Sequence, residues 1–591
     1  MRLVLREYLA MLRESGELDV LIPDLLVSMG FQPLTRPGRG SRQFGVDVAA
    51  VGVDPTDPDP SPKLLLVTIK RGNITRSEWD TGVQAVRPSL NEILDSYLRT
   101  MVRPEHAALR KAVVLATGGD MRQDVEGDWN NYIHVNRDRY PQHGTVDFAF
   151  WGGDMLAKLL DTYLYDEFLF PEEDRQRLRK TIAVVDQIDH EPTAFYELVH
   201  HVLFERGVPT GKGPSEVRAR EKALRLIDLS LLVVFRWGLD ANNLRVAILG
   251  AERALLTTWD WVRQGQLFDC QTTRAAFGRL VASYRRIMTA YTLKLAAHAD
   301  VRDGLAVPDD IETALRVYEV IGQLGVFACA IAFEESADDR DGKATDRTDS
   351  DSGQEQSSSS NTDPAWISLE ADQVVEILAN VIANNGAAAQ PRYDGHVVDI
   401  GVAHLALTLT GRTHLASTWL ESIATRVIMA MRFGDRYPIA TDSYEDLLAL
   451  RSATPPSRDR LFDLSTLLPT LAEWMAVLQM ADSTYEAFRL AIQTHAEKAD
   501  LQIWYPDVAT DDLLYRTNAA AESGAMLTSI ELPPSLNDLA NHIRLVDSTQ
   551  DSWNNVSCLR EGWTWGALLA SRHFRTPLIP ALWESALVPA C

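Results

Sequence analysis

The clearest pattern near the start of the chain is an apolar run bounded by turn-forming residues. Residues 64–69 are apolar except for Thr68, and they lie between the proline-rich segment 54–62 and a turn at 71–73. Runs with such borders predict a β-strand. A shorter apolar stretch, 44–53, precedes the loop. Two strands joined in this way are expected to form a hairpin or a neighbouring pair in one sheet.

Three other segments extend the mixed helix and strand pattern. Residues 18–31 place apolar side chains at helical spacing, although Pro23 interrupts that pattern. Residues 112–118 form another apolar run, and residues 146–163 combine a strand pattern with an amphipathic helix. We therefore expect residues 1–170 to form one domain.

Beyond this domain, apolar residues recur at helical spacing and strand-like alternation is scarce. We expect a helical domain at 171–333 and a C-terminal helical domain at 365–591. The segment between them, 334–364, is acidic and serine-rich, so it buries too little apolar area to offset the entropy of ordering and is expected to be a disordered linker. Three tryptophans near the end of the chain are expected to pack in a core: Trp563, Trp565 and Trp583.

Composition limits the classes of protein that fit. The chain has 591 residues and a formal net charge of -24. Its length predicts about two to four domains. Its acidic balance excludes a protein that coats nucleic acid with its whole surface, because such binding depends on neutralising phosphates. Any contact with nucleic acid must therefore be local.

The cysteines and the apolar segments of the chain predict its cellular compartment. The four cysteines are scattered without metal-ligand spacing, which indicates a reducing interior and no disulfide framework. The first residues begin an amphipathic pattern and do not resemble a signal peptide. We find no apolar stretch near the roughly 20 residues that a membrane span needs. A cytoplasmic protein that does not enter membranes is expected.

The two predicted strands bring together residue types that suit phosphodiester chemistry. Asp47 and Lys70 are expected at adjacent strand ends, so both side chains can reach one cleft. A carboxylate is a hard oxygen ligand for Mg²⁺, which needs only one or two protein acids beside a phosphate. A lysine ammonium can position the attacking water and neutralise charge on the phosphate.

These residues and their surroundings resemble the restriction-endonuclease-like superfamily, in its Mrr-like branch. The signature of that superfamily is an Asp, a gap, and then a Glu or Gln separated by one residue from a Lys. Here the residues are Asp47 and Lys70, with Thr68 at the Glu or Gln position. The resemblance covers about the first quarter of the chain. It implies an α/β domain in which helices flank a central mixed sheet, followed by a large all-α region.

The resemblance also implies a bound divalent cation, Mg²⁺ or Mn²⁺. Asp47 and the carbonyl of Ile69 are expected to hold it, and Thr68 contributes directly or through water, although a hydroxyl is a poorer ligand than the acid of the family. Lys70 is expected to position the nucleophilic water. An acid of the preceding helix is expected to help, and the candidates are Asp19, Asp24, Glu7 and Glu14.

Other polar residues are candidates for binding the substrate. Arg36, Arg39 and Arg42 lie in a glycine-containing segment ahead of the first strand, and Arg71 and Arg76 follow the second. Guanidinium groups suit phosphate geometry, so these arginines are expected to contact a nucleic-acid backbone; the alternative for each is a solvated loop residue. A second candidate is Gln84, which is expected either to orient the scissile phosphate or to be an exposed helix residue.

Two functions remain open. The first is a metal-dependent endodeoxyribonuclease, with DNA favoured over RNA, regulated by a large helical sensor or assembly region. In the family it resembles, such architectures occur in bacterial restriction and antiphage defence, with a partner ATPase or another defence protein and an oligomeric assembly. The second is a catalytically inactive adaptor that uses the same fold to bind nucleic acid or a partner protein. Thr68 is the residue that separates them.

One tempting motif is set aside. The segment 207–213 resembles a phosphate-binding loop, but its glycine spacing is short and Gly213 replaces the Ser or Thr that should hold Mg²⁺. A turn between helices is the better interpretation.

Overall fold

The protein forms two compact units. A computed structural model describes residues 6, 9–10, 12, 14, 18–34, 44–81, 85–139, 146–164, 171–187, 190–345, 369–433, 438–440, 443–451, 463–517, 526–547 and 552–584. The first unit comprises Met1–Leu198 with Arg225–Asn243, and the second comprises Val199–Leu224 with Leu244–Cys591.

A five-stranded mixed sheet organises the first unit. Its strands are β1 (Gln32–Pro33), β2 (Val48–Gly52), β3 (Lys63–Lys70), β4 (Arg110–Thr117) and β5 (Val146–Trp151). They lie side by side in chain order, with β1, β2 and β3 antiparallel and β3, β4 and β5 parallel. The expected α/β domain with a mixed sheet flanked by helices is therefore confirmed at this level. The expected strand pair is also confirmed, because Val48 lies opposite Val67.

The central strand is apolar on both faces because both faces are covered. Alternate side chains of β3 belong to different clusters, so that Leu65 and Val67 pack with the helix Asp19–Ser28, whereas Leu64 and Leu66 pack with the aromatic residues of the opposite face. Strands buried on both faces show continuous apolar runs instead of strict alternation. This burial on both faces explains why the apolar run 64–69 predicts a strand.

Helices make up the rest of the first unit. Pro23 lies inside the helix Asp19–Ser28, which it does not break. The α-helices of the chain up to Asp240 are as follows: Asp19–Ser28, Arg76–Asp80, Val86–Glu92, Leu98–Thr100, Gln123–Asn136, Gly153–Leu159, Glu172–Ile182, Thr193–His200 and Pro214–Asp240. Among the described residues, the single-turn π-helices Ile93–Tyr97 and Leu160–Leu164 extend helices of this unit, and His201–Glu205 lies in the second unit.

The second unit is largely helical. Its further α-helices are Arg245–Gln264, Gln271–Ala299, Asp310–Thr345, Ala371–Asn384, His396–Leu409, Thr413–Phe433, Tyr444–Ala449, Leu467–Val477, Asp482–His495, Leu536–Asp547, Ser552–Asn555, Ser557–Arg560, Thr564–Phe574 and Ala581–Glu584. The three C-terminal tryptophans are buried, and Trp563 packs against Trp259 with ring centroids 4.7 Å apart. The expected terminal core is confirmed.

One helix of this unit is long and apolar enough to cross a membrane. An 18-residue window within the span Asp310–Glu335 has a mean hydropathy of 1.5, but 83% of that window is buried inside the protein. The expectation that the chain has no apolar stretch of membrane-spanning length was therefore wrong, because this helix meets the criterion by length and composition. Because the chain itself covers this helix, it has the environment of a core helix.

Two expectations about the C-terminal half need correction. The region is not all-α, because β6 (Leu464–Ser465), β7 (Asp500–Tyr505) and β8 (Met526–Ser529) form a three-stranded sheet in the second unit. The expected linker 334–364 begins as a helix, since the helix Asp310–Thr345 extends to residue 345; residues 346–364 lie outside the described residues.

Candidate functional site

A break in the strand pattern positions Asp47. Val46 and Val48 belong to clusters on opposite faces of the sheet, although residues two apart normally share a face. The irregularity follows a turn in which Phe44 and Gly45 both have positive φ, 48° and 77°. A side chain at Gly45 would overlap the Ser89 carbonyl, so the turn requires glycine there.

Asp47 extends the ladder between β2 and β3 with its side chain. Its backbone N–H donates to the Val67 carbonyl at 2.9 Å, and its carboxylate Oδ2 accepts the Ile69 N–H at 2.7 Å. The carboxylate thus takes the place of a backbone acceptor where the pairing ends. The Ile69 N–H therefore fixes the orientation of the carboxylate through Oδ2.

Lys70 ends β3 and faces an acid from the start of the chain. Its side chain is largely buried, and Nζ lies 3.9 Å from Glu14 Oε1. Burial raises the pKa of Glu14; the Lys70 charge opposes this rise and the Asp47 charge adds to it. Glu14 is therefore the upstream acid that the structure brings to Lys70.

The acids of the helix Asp19–Ser28 have different environments. Asp19 Oδ1 is buried without a hydrogen-bond partner, and its charge contributes to the raised pKa values of Asp47 and Glu14. Asp24 instead forms an ion pair with Arg225. Asp19 is consequently the helix acid that belongs to the candidate site, and Asp24 is not.

The environment of Asp47 disfavours the charged form of its carboxyl. Burial raises this pKa, the Ile69 amide and the Lys70 charge lower it, and Asp19 raises it. The Thr68 hydroxyl makes the smallest contribution to lowering the Asp47 pKa. Thr68 is 1% exposed, and its Oγ1 forms no hydrogen bond with good distance and angle. A buried carboxyl whose charge is disfavoured gains from a bound cation.

The donors fit a divalent cation with few protein ligands. Asp47 Oδ1 and the orphaned Asp19 Oδ1 are hard oxygen donors, and Mg²⁺ typically needs only one or two carboxylates. In the part of the chain that the structure describes, no three His, Cys, Asp or Glu side chains converge closely enough to form a metal cage. The set therefore suits an ion that keeps several waters and contacts a substrate phosphate.

Arginines at this end of the sheet differ from those elsewhere in the first unit. Arg71, Arg76 and Arg122 are exposed, and none of them forms an ion pair with a carboxylate of the residues that the structure describes. The bridge between Ile74 and Met121 brings the segments that carry Arg76 and Arg122 together. By contrast, the following arginines of the unit are paired with carboxylates: Arg87, Arg103, Arg110 and Arg137.

Sequence reasoning placed some of these groups and missed others. Glu14 was named only among several upstream acids, and Arg122 was missed because its neighbours in space lie about fifty residues away in the chain. A bridge between two short loops leaves no periodic signal. Five predicted residues lie outside the described residues: Glu7, Arg36, Arg39, Arg42 and Gln84.

Comparisons with known proteins give no further identification. No protein-family model, no curated protein and no solved structure matches the chain. The case for a function therefore depends on the residues and geometry of this site.

Proposed function

We propose that the protein is a metal-dependent nuclease that cleaves phosphodiester bonds, with DNA as the favoured substrate. The observation that carries the proposal is the grouping at the ends of β2 and β3. There, the Asp47 carboxylate is fixed by the Ile69 amide, while Lys70 and Glu14 face each other. Fixed polar groups in a buried setting are the usual basis of electrostatic catalysis.

Each group has a role that its environment supports. Asp47 and Asp19 hold the divalent cation, together with the Ile69 carbonyl. When bound, the cation supplies Lewis acidity toward the phosphate and lowers the pKa of attached water. Lys70 Nζ holds the nucleophilic water in position for in-line attack and offsets charge on the phosphate. Glu14 orients the Lys70 ammonium from the other side and is the second acid within reach of a proton on that water.

The unpaired arginines supply the substrate contacts. Among the described residues, no carboxylate forms an ion pair with Arg71, Arg76 or Arg122, so their charge is available for phosphate oxygens. Contacts of this kind fix position and carry no sequence information. They also satisfy the requirement, set by the net charge of -24, that binding be local.

The large second unit suggests that cleavage is controlled. It exceeds the first unit in length, and hydrolysis alone does not require it. We propose that it serves as a sensor or assembly region of a cytoplasmic defence protein that works with a partner protein such as an ATPase.

Cleavage assays test this proposal. Plasmid and oligonucleotide DNA are incubated with Mg²⁺ or Mn²⁺ and with wild type, Asp47→Asn or Lys70→Ala. The Asn side chain keeps an acceptor for the Ile69 N–H but removes the charge, so Asp47→Asn is expected to fold and to lose at least about 100-fold in rate. The matched controls Asp124→Ala and Lys158→Ala change exposed residues of the same unit and should cleave like wild type.

A noncatalytic adaptor is the second candidate, and Thr68 favours it. The buried hydroxyl stands where the resembling family carries an acid, so the site has one charge fewer. An adaptor would bind DNA through the three arginines without cutting it. Equal background activity in wild type and both site variants, together with DNA binding that Arg122→Ala weakens, would identify the adaptor.

A further inference from the structure

Cys270 in the second unit differs from the other described cysteines. It immediately precedes the helix Gln271–Ala299 and is partly exposed, whereas Cys329 and Cys558 are buried. Burial raises the pKa of Cys329 and Cys558. Those two thiols are expected to be inert, because the thiolate is the reactive form.

The Cys270 sulfur accepts from Arg220 and lies in hydrogen-bond contact with the Thr272 hydroxyl. Cys270 Sγ lies 3.5 Å from Arg220 Nη2 and 3.2 Å from Thr272 Oγ1. As the residue before a 29-residue helix, it also lies where backbone N–H groups and the helix dipole favour an anion.

The buried charge of Arg220 is a second, independent reason to expect Cys270 to be a thiolate. Arg220 is 2% exposed, and its Nη1 donates to the carbonyls of Pro209 and Gly211 at 3.1 and 2.5 Å. These acceptors are neutral, no carboxylate of the described residues forms an ion pair with the guanidinium, and its Nε makes no hydrogen bond. An unpaired buried charge is costly, so Arg220 needs a counter-ion, and Cys270 Sγ is the ionisable group in contact with it.

The segment 207–213 acquires a role here. It turns carbonyls toward Arg220, and its Gly213 N–H donates to Glu216 Oε2 at 2.9 Å. A phosphate-binding loop would present amides to an anion, whereas this loop fixes a cation. It thereby holds Arg220 against the cysteine.

A further buried hydroxyl adjoins the sulfur. Thr273 is 2% exposed, its Oγ1 has no hydrogen bond of full geometric quality, and it acts on the ionisation of Cys270. Although burial acts to raise it, the pKa of Cys270 is lowered to about 6 by the Thr272 hydroxyl, by Thr273 and by Arg220. An oxygen atom added to the sulfur would find donors already in place.

We propose that Cys270 is a modification site at which the thiolate reacts with a hydroperoxide. The thiolate attacks one peroxide oxygen, so that an S–O bond forms and the O–O bond breaks. The leaving group, hydroxide from hydrogen peroxide or alkoxide from an organic hydroperoxide, takes a proton from solvent and becomes water or an alcohol. Sulfur is oxidised by two electrons to a sulfenic acid and the peroxide is reduced. Arg220 and Thr273 stabilise the thiolate beforehand and bind the added oxygen afterwards.

Trapping of the sulfenic acid tests the proposal on the full-length protein. Wild type is treated at about pH 7 with equimolar hydrogen peroxide and dimedone, and peptide mass spectrometry locates the adduct. We expect the adduct on Cys270, none on Cys329 or Cys558, and none at this position in Cys270→Ser. Absence of the adduct from the Cys270 peptide, or formation no faster than on N-acetylcysteine, would overturn the proposal.

The role of the neighbours is tested by alkylation rates. Iodoacetamide labelling of Cys270 across pH is expected to show a midpoint well below the ordinary thiol pKa of about 8.5. Arg220→Met should shift that midpoint upward and slow labelling at about pH 6.5 by about fivefold. If Arg220→Met does not fold, Thr273→Val serves the same test with a smaller expected shift. A midpoint at the ordinary value in wild type, or no shift in a folded variant, would refute the arrangement.

Discussion

Thr68 and Asp47 show how far single residues could be anticipated from the chain. The apolar run and its borders predicted that Asp47 and Lys70 lie at neighbouring strand ends, and the register of β2 against β3 places them there. The hydrogen bond from the Ile69 amide could not be predicted, because it depends on the break in alternation after Gly45. Contacts such as Glu14 with Lys70 also depend on tertiary packing, which local patterns do not encode.

Substituting Thr68 by Glu is expected to make stability depend on a divalent cation. The new carboxylate would lie beside Asp47 in a buried position, and an uncompensated buried charge costs about 3 kcal/mol. Thr68→Glu should therefore lower the free energy of unfolding in EDTA, and Mn²⁺ should restore most of the loss. Thr68→Val is the control and should show no response to Mn²⁺ beyond that of wild type. An equal response of both variants in thermal melts would argue against a cation beside residue 68.

Glu473 is expected to make the second unit less stable at alkaline pH. It is 1% exposed, neither carboxyl oxygen makes a hydrogen bond of full geometric quality, and burial raises its pKa to about 8, with the Trp583 indole opposing. Between the unfolded pKa of about 4.3 and this value, the folded state retains a proton that the unfolded state releases. Stability should then fall with rising pH by up to about 1.4 kcal/mol per pH unit.

The comparison of Glu473→Gln with wild type measures this slope. Urea unfolding between about pH 5 and pH 8 should show the variant gaining on wild type as pH rises, because the amide does not titrate. Glu486→Gln, which changes an exposed glutamate in the helix Asp482–His495, is the matched control and should follow wild type. Parallel curves for wild type and Glu473→Gln would show that Glu473 titrates normally.

The strands of the protein differ in how well the sequence predicts them. β3 and β4 are each eight residues long and apolar throughout most of their length, so their patterns were readable. The strands of the second sheet and β1 were missed, since β1 and β6 have only two residues each. Such short strands exist because a neighbouring strand pairs with them, and their own composition carries little signal.

The turn before β2 depends on glycine for space as well as for conformation. Gly45 and Gly30 both have positive φ, 77° and 92°, but only the former faces a backbone carbonyl that a methyl group would overlap. Gly30→Ala is expected to cost about 1 kcal/mol from conformation alone. Gly45→Ala should cost about 2 kcal/mol more, because overpacking adds to the conformational strain. Equal losses in urea unfolding would show that the turn rearranges.

The charge of the whole protein restricts how it binds DNA. With a net charge of -24, binding must come from a local cluster, and the described candidates are Arg71, Arg76 and Arg122. If these account for about three phosphate contacts, log K for a duplex should fall with log salt with a slope of about -3. Fluorescence anisotropy with Asp47→Asn in EDTA measures this slope without cleavage.

Single substitutions test whether these three arginines, and not other arginines of the first unit, determine the salt dependence of DNA binding. Arg122→Ala should reduce the magnitude of the slope by about one, whereas Arg87→Ala removes an arginine that is paired with Asp80 and should leave the slope unchanged. A slope much steeper than -3 that Arg122→Ala does not alter would place the binding surface elsewhere.

A buried ion pair in the second unit joins two parts of the chain that are distant in sequence. Glu252, in the helix Arg245–Gln264, forms an ion pair with Arg572 and a 2.9 Å contact between Oε2 and His573 Nδ1. Burial acts to raise the pKa of Glu252, but Arg572 and His573 bring it below its usual value. Stability from this group is therefore present at neutral pH and is lost as pH falls through the folded pKa.

Glu252→Gln is expected to destabilise the second unit by about 3 kcal/mol or more at pH 7, because it leaves the buried Arg572 without its counter-charge. The loss should shrink as pH falls from the unfolded pKa of about 4.3 through the lower folded pKa, where wild type also loses the charge. Glu376→Gln, an exposed change in the helix Ala371–Asn384, should alter stability by less than about 0.5 kcal/mol. Since the pair joins residues 320 positions apart, a large effect would show that the last helices complete the fold, and a negligible effect would show that water satisfies Arg572 instead.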